Sequence, residues 1–296
     1  YMSWYAALGA LEQGLVYGIM AIGVYLTFRI LDFPDLTVDG SLPLGASITA
    51  LALTSGINPF IALLLAGFGG FLAGMVTAIL NTKLKVLHLL ASILTMIALY
   101  SINIRIMDGP NISLLATDTV FDPLINFGVP GYLASTMFFV AFAALIVVGV
   151  IWFLYTEIGL SLLATGDNPQ MITAQGVNTH TIIILGVGLS NALVALAGSL
   201  IAQNQGAADV NMGVGTIIAG LASVIVGETV FGDKTIPRAI IAVLVGSVIY
   251  RMAIALALGL EMGRFSVNPS DLNLITALLV IIALTAPTIK KKLKKV

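Results

Sequence analysis

The segment Tyr132–Leu154 runs for 23 residues without one Asp, Glu, Lys or Arg. A helix needs about 20 mostly apolar residues to cross the hydrocarbon of a bilayer. Inside lipid every backbone donor and acceptor must be satisfied within the segment, so such a run reads as a membrane-spanning helix. Five more stretches are of similar length: Ala6–Phe28, Pro59–Leu80, Val86–Met107, Thr181–Gln203 and Pro237–Gly259. Three shorter apolar runs, Ser41–Thr54, Val214–Phe231 and Leu272–Ile289, are expected to cross as well, tilted or shielded by neighbours. The expected fold is all-α and polytopic, with about nine transmembrane helices in a single membrane domain over residues 1–296.

Composition agrees with that pattern. Only 9% of residues are charged and 59% are hydrophobic, against roughly 25% charged in ordinary soluble domains. Most of the surface must therefore face lipid. No cysteine is present, which excludes disulfides, cysteine-ligated metals and a cysteine nucleophile. His88 and His180 are too few for a multi-histidine metal site. The first apolar stretch has no basic leader or small-residue cleavage site and is read as a retained helix.

Lys and Arg in short loops set the orientation. The tail Lys290, Lys291, Lys292, Lys294 and Lys295 places the C-terminus in the cytoplasm, and counting back puts Arg29, Lys83, Lys85, Lys234 and Arg238 inside too. Arg105 and Arg264 fall near the outer face, so ten basic residues lie inside against two outside, an N-out/C-in arrangement. Were Ser41–Thr54 re-entrant, everything before it would flip and the N-terminus would be inside. Two segments remain outside the spans, Asp108–Gly131 on the outer side and Tyr155–His180 on the inner, and neither is long enough for a catalytic domain.

The two halves share a plan. A long helix leads into a polar, glycine-containing loop (Asp32–Gly40, then Asn204–Gly213), a short apolar segment, a proline-initiated long helix and a final span. With the first loop inside and the second outside, the copies would be inverted, as in many transporters. No residue-level identity supports the repeat. Short helices opening at Asp39 and Asn211 would aim their N-terminal dipoles inward, towards an anionic group on a passing substrate, unless they are ordinary capped ends.

Ionisable groups inside a membrane are costly and face protein or water. Arg251 falls mid-span and Glu12 in the outer half of the first span, at depths that allow them to pair. Glu12 is the only acidic residue read as well within a span. Glu228 is expected to pair with Lys234 or Arg238, and His88 to be packed or interfacial. Gln203, Asn204 and Gln205 lie at the outer end of their span, placed either to touch a solute or to cap the helix. Ala66, Gly70 and Gly74, four apart, form a small-residue packing face. Gly227–Thr235 nearly spells a phosphate-binding loop, but its Lys comes one residue late and it ends a span rather than a strand.

The inner loop carries the clearest local signal. Asp167 or Asn168 can cap a helix start, Pro169 suits the first helical position and Gly176 the stop. A helix of about seven residues follows, roughly 10 Å long. It is too short to persist alone in water and must dock on something.

This loop resembles the ATPase-contacting loop of bacterial ABC importer permeases of the branched-chain amino acid, ribose and nucleoside superfamily. Gly159, Ala164-Thr165-Gly166-Asp167-Asn168-Pro169, Ala174 and Gly176-Val177-Asn178 stand in the places of that family's motif. A second match, Asp35-Leu36-Thr37-Val38-Asp39-Gly40-Ser41, is similar to the signature of a branch associated with tryptophan/tyrosine-type uptake systems. One departure is that Leu162-Leu163 stands where relatives commonly carry a basic residue.

The resemblance implies a type II-like permease in the bacterial cytoplasmic (inner) membrane, forming the pathway for a small polar solute. Amino acids come first among solutes, aromatic ones included, with nucleosides or sugars as alternatives. It also implies cytoplasmic ATPase subunits holding ATP and Mg, an extracytoplasmic solute-binding protein, and a second permease copy, with membrane lipid around them and no nucleic acid. No cofactor, metal site or catalytic residue is expected in this chain. Gly166 to Ile172, with Gln175 and Gly176, would contact the ATPase, Met171 and Ile172 as apolar anchors and Asp167 and Gln170 at the rim. Glu12, Asp39, Gln203, Asn204, Asn211 and Arg251 are the candidate pathway residues. A secondary transporter or channel driven by an ion gradient is the alternative, and would call for paired carboxylates mid-membrane.

Overall fold

The computed structural model describes residues 3–259, 261–262, 265–266 and 271–293. Arg264, Lys294 and Lys295, used above for orientation, lie outside them. Helix α1 (Trp4–Tyr25) starts at the Ser3 hydroxyl, which accepts from the Ala6 amide, and widens into a π-helical turn at Leu26–Ile30. After an extended stretch come α2 (Val38–Thr54), α3 (Pro59–Thr82), α4 (His88–Met107), β1 (Asn111–Ser113), α5 (Asp122–Asn126) and α6 (Gly131–Leu154). Then follow α7 (Glu157–Asp167), α8 (Pro169–Ala174), α9 (Thr179–Gln205), β2 (Ala207–Asp209), α10 (Thr216–Phe231), α11 (Ile236–Leu258), β3 (Glu261–Met262), β4 (Phe265–Ser266) and α12 (Leu272–Leu293). Among the described residues six helices are long and apolar enough to cross a membrane, and α2, α10 and Leu272–Ala286 are shorter apolar helices. These are the nine segments picked out by their apolar runs.

Helix α9 is the spine. Its glycines, alanines and serines let α2 and α3 come close, because without a hydrophobic drive inside lipid helices associate through tight packing and interhelical hydrogen bonds. A Cβ at Gly198 would overlap the Leu42 carbonyl oxygen, and one at Gly45 the Ala195 carbonyl. Helices α2 and α9 run parallel: Ser41 donates to Asn191 Oδ1 (2.6 Å) and, two turns on, Thr49 donates to Ser199 (2.5 Å). The expected small-residue face of α3 packs here too, Gly70 on Asn191 and Ala195, Gly74 on Val187 and Gly188. Large apolar side chains such as Leu64, Phe68, Leu145 and Trp152 point outward.

The packing has a swapped regularity. Helix α1 lies against α11 and α10, as α9 lies against α3 and α2. Likewise α10 packs on α11 and α12, as α2 packs on α3 and α4.

The two ends of the bundle differ. At one, β1 pairs antiparallel with β2 (Asn111 opposite Asp209, Ser113 opposite Ala207), and Gln203 Oε1 accepts from the Val120 amide at 3.0 Å. At the other lie α7 and α8.

The segment Asp32–Gly40, expected as a polar loop at the inner face, instead turns back into the bundle. Asp35 is fully buried beside Asn191, near the middle of α9: one oxygen accepts from the Thr37 amide (2.9 Å), the other from Asn191 Nδ2 (2.8 Å). The Thr37 and Thr77 hydroxyls meet at 2.7 Å. Partners on α3 and α9 make this depth tolerable for polar groups, as buried polar atoms require. Glu12 is therefore not the only carboxylate deep among the helices.

Candidate functional site

Helices α2 and α10 begin at mid-height and meet N-terminus to N-terminus. Asp39, in the first turn of α2, reaches across so that its Oδ1 accepts from the Ile217 amide (2.9 Å) and the Thr216 hydroxyl (2.9 Å). A carboxylate here satisfies free amides of α10 and lies at the positive end of its dipole. Gly213 closes the junction, since a Cβ there would overlap the Asp39 carbonyl and the Pro43 ring. The dipole expected to face a solute is thus already met from within the chain.

Cavities flank the junction. One, of about 440 Å³, is lined by Asp39, Tyr100, Ser101 and Asn103 among others. The second, of about 380 Å³, lies between α1, α10, α11 and α12 and is lined by Tyr17, Thr216, Tyr250, Arg251, Asn273 and Thr276 with apolar neighbours. Val214 borders both.

The remaining pathway candidates scatter. Glu12 and Arg251 do not pair. Glu12 Oε1 accepts from Ser135 (2.7 Å) and Thr136 (2.6 Å) of α6, while the Arg251 guanidinium stacks over the Tyr17 ring at 3.8 Å. Two hydroxyls close at hand satisfy the carboxylate without a buried cation. Gln203 is buried and holds the loop before α5, and Asn204 and Asn211 are exposed. Glu228 pairs with Arg29 at 2.7 Å, not with Lys234 or Arg238, because α10 ends beside the π-helical turn of α1. His88 is edge-on to Phe33 at 4.8 Å.

The loop helix forms as its residues demand. Asn168 Oδ1 accepts from the Met171 amide (3.0 Å), Pro169 takes the first position, and Gly176 adopts φ +89°. Its six residues extend an unexpected partner, α7, capped by Thr156. Asp167, Asn168, Pro169, Gln170, Gln175 and Gly176 are exposed. Met171 is 49% exposed, whereas Ile172 is 7% exposed and faces the protein, so it anchors α8 on its own chain. Gly166 also faces inward, so close to the Ile30 carbonyl that a Cβ would overlap it. Among the described residues no group of three His, Cys, Asp or Glu is placed to hold a metal ion.

Residues 6–285 match the family described as the permease component of the branched-chain amino acid transport system. The chain belongs to that family. It is 44% identical over 288 residues to a tyrosine transport system permease protein of Clostridioides difficile, covering 97% of this chain and 93% of the relative. It is 27% identical over 232 residues to the ribose import permease protein of Haemophilus influenzae, covering 75% and 68%. Among solved structures, a chain of PsaBC from Streptococcus pneumoniae in complex with Fab has the same fold, with a TM-score of 0.52, 16% identity, and 94% and 89% of the two chains covered.

As an ABC permease, the chain is a multi-pass protein of the bacterial cytoplasmic membrane. In it, Asp35, Thr216, Tyr17 and Tyr250 escaped sequence reasoning. Asp35 sits in the quoted signature, and that was the one available signal. Aromatic and hydroxyl residues inside apolar runs carry none.

Proposed function

We propose that this permease is the membrane-spanning subunit of an ATP-driven importer and carries an amino acid, aromatic ones foremost. The 44% identity to a tyrosine transport system permease over nearly the whole chain carries the reading. The exposed residues of α8 and its two ends, Asp167 to Met171 with Gln175 and Gly176, are the docking element for a separate ATPase subunit that holds ATP and Mg. Two permease copies enclose the pathway, and a solute-binding protein delivers to the end bearing β1 and β2.

Nine crossings fit an N-out/C-in chain in which the second crossing is half extended (residues 31–37) and half helical. The swapped packing of α1 to α4 and α9 to α12 supports an inverted repeat, with α2 and α10 as its broken spans. An ion-gradient carrier is the rival reading, and the buried Asp35 is the observation in its favour. Family membership supports the ATP-driven reading over it.

The test is uptake of labelled L-tyrosine by proteoliposomes holding the permease, its ATPase and its binding protein. Accumulation should require ATP and persist when proton and sodium gradients are dissipated. Uptake that needs a gradient and ignores ATP would overturn the reading.

A further inference from the structure

Arg251 lies on α11 among apolar helices, and among the described residues it forms no ion pair. Its Nε is buried without a hydrogen-bond partner. The neighbouring Tyr250 is 3% exposed, and its buried hydroxyl is likewise unpartnered. Both residues line the 380 Å³ cavity between α1, α10, α11 and α12, with Thr216 and Asn273 on its wall. A cation within the membrane is costly unless it meets an anion or water, and a buried donor left unmade costs free energy comparable to a lost hydrogen bond. Stacking on Tyr17 covers one face of the guanidinium and leaves its N–H edge for a planar acceptor.

We infer that this cavity is a binding site for the carboxylate of the transported amino acid, held by the Arg251 guanidinium. The assignment rests on the proposed function for the choice of an amino acid. The geometry alone specifies an anionic oxygen group. A volume of about 380 Å³ lies within the usual range for small-molecule sites. A lipid headgroup phosphate offers the same chemistry and is the other source to be distinguished.

The experiment uses the purified permease–ATPase complex, with binding read by thermal shift and uptake read separately in proteoliposomes. L-tyrosine should stabilise the wild type, and tyramine, which lacks the carboxylate, should not. Arg251→Gln should weaken L-tyrosine binding at least about tenfold, and Arg251→Lys, which keeps the charge but loses the planar fork, about threefold to tenfold. Arg251→Lys keeps the charge and most of the stem, so it tests the site even if Arg251→Gln fails to assemble.

Equal binding of L-tyrosine by wild type and Arg251→Gln, or by wild type and Arg251→Lys, overturns the site. So does a wild type indifferent to L-tyrosine, or one stabilised by phosphatidylglycerol over phosphatidylcholine in an Arg251-dependent way. Wild-type complex that binds L-tyrosine through Arg251 but takes up none with ATP overturns the importer reading and leaves the site standing.

Discussion

Replacing Asp39 tests whether the meeting of α2 and α10 holds the fold or touches the solute. In Asp39→Ala the Ile217 amide loses its acceptor 2.9 Å away, while the Thr216 hydroxyl, whose one proton also reaches the Gly213 carbonyl at 2.9 Å, keeps that acceptor. A hydrogen bond to a charged group contributes about 1.5–3 kcal/mol, and the Thr216 hydroxyl retains an acceptor, so roughly 2–3 kcal/mol should be lost. Asp39→Asn keeps an acceptor and loses only the charge and its dipole interaction, about 1–2 kcal/mol. At roughly 2–4 °C per kcal/mol, the thermal midpoint of the detergent-solubilised permease should fall by about 8 °C for Ala and about 4 °C for Asn. Transport by the Asn variant should survive at temperatures where it is folded. An Ala variant melting with the wild type would show that the junction contributes no stability. An Asn variant that melts normally yet transports nothing would make Asp39 a solute-contacting residue.

Three further outcomes are expected. Met171→Asp should leave the permease folded but prevent co-purification of the ATPase, while Ile172→Asp, which buries an unpaired carboxylate, should destabilise the α7–α8 region by several kcal/mol; normal ATPase capture by Met171→Asp would remove α8 from the docking surface. Gly198→Val should prevent a stable fold, because the added atoms meet the Leu42 backbone, whereas Gly149→Val, with open space around it, should be neutral by fluorescence-detected size exclusion. Single cysteines at Ser113 and Thr173, both exposed, should react with an impermeant thiol reagent from opposite sides of the membrane; labelling of both in intact cells would refute the N-out arrangement.

The six long apolar helices were legible because length and apolarity act within each segment, independently of partners. The stop at Gly176 and the cap at Asn168 were legible for the same reason: a φ of +89° and an Asx cap are local. Segment 32–40 was not. Its polar residues read as solvated because nothing in a linear pattern shows that Asn191 and Thr77 wait beside them. The pairing of Glu12 with Arg251 failed similarly, since equal depth says nothing about which face of each helix turns inward. Hydroxyls on α6, inside the most apolar run of the chain, took the carboxylate instead.

The exposed loop helix and the mid-height junction are joined by a short stretch of chain. Gly166 of α7 lies on the Ile30 carbonyl with no room for a side chain, so α7 and the end of α1 are fixed to one another. Ile30 closes a π-helical turn, a wider and less regular ring than the α-helix around it, of the kind found where helices serve function. Nine residues further on, Asp39 holds the first turn of α10. Along this stretch Phe33 and Asp35 are buried and Thr37 is bonded on both sides, so the chain has few free joints between the two places. Helix α10 returns to the same end and closes the circuit through Glu228 and Arg29. The platform and the junction therefore share one continuous, tightly seated segment, and a displacement imposed on α8 has a short route to the cavities beside Thr216.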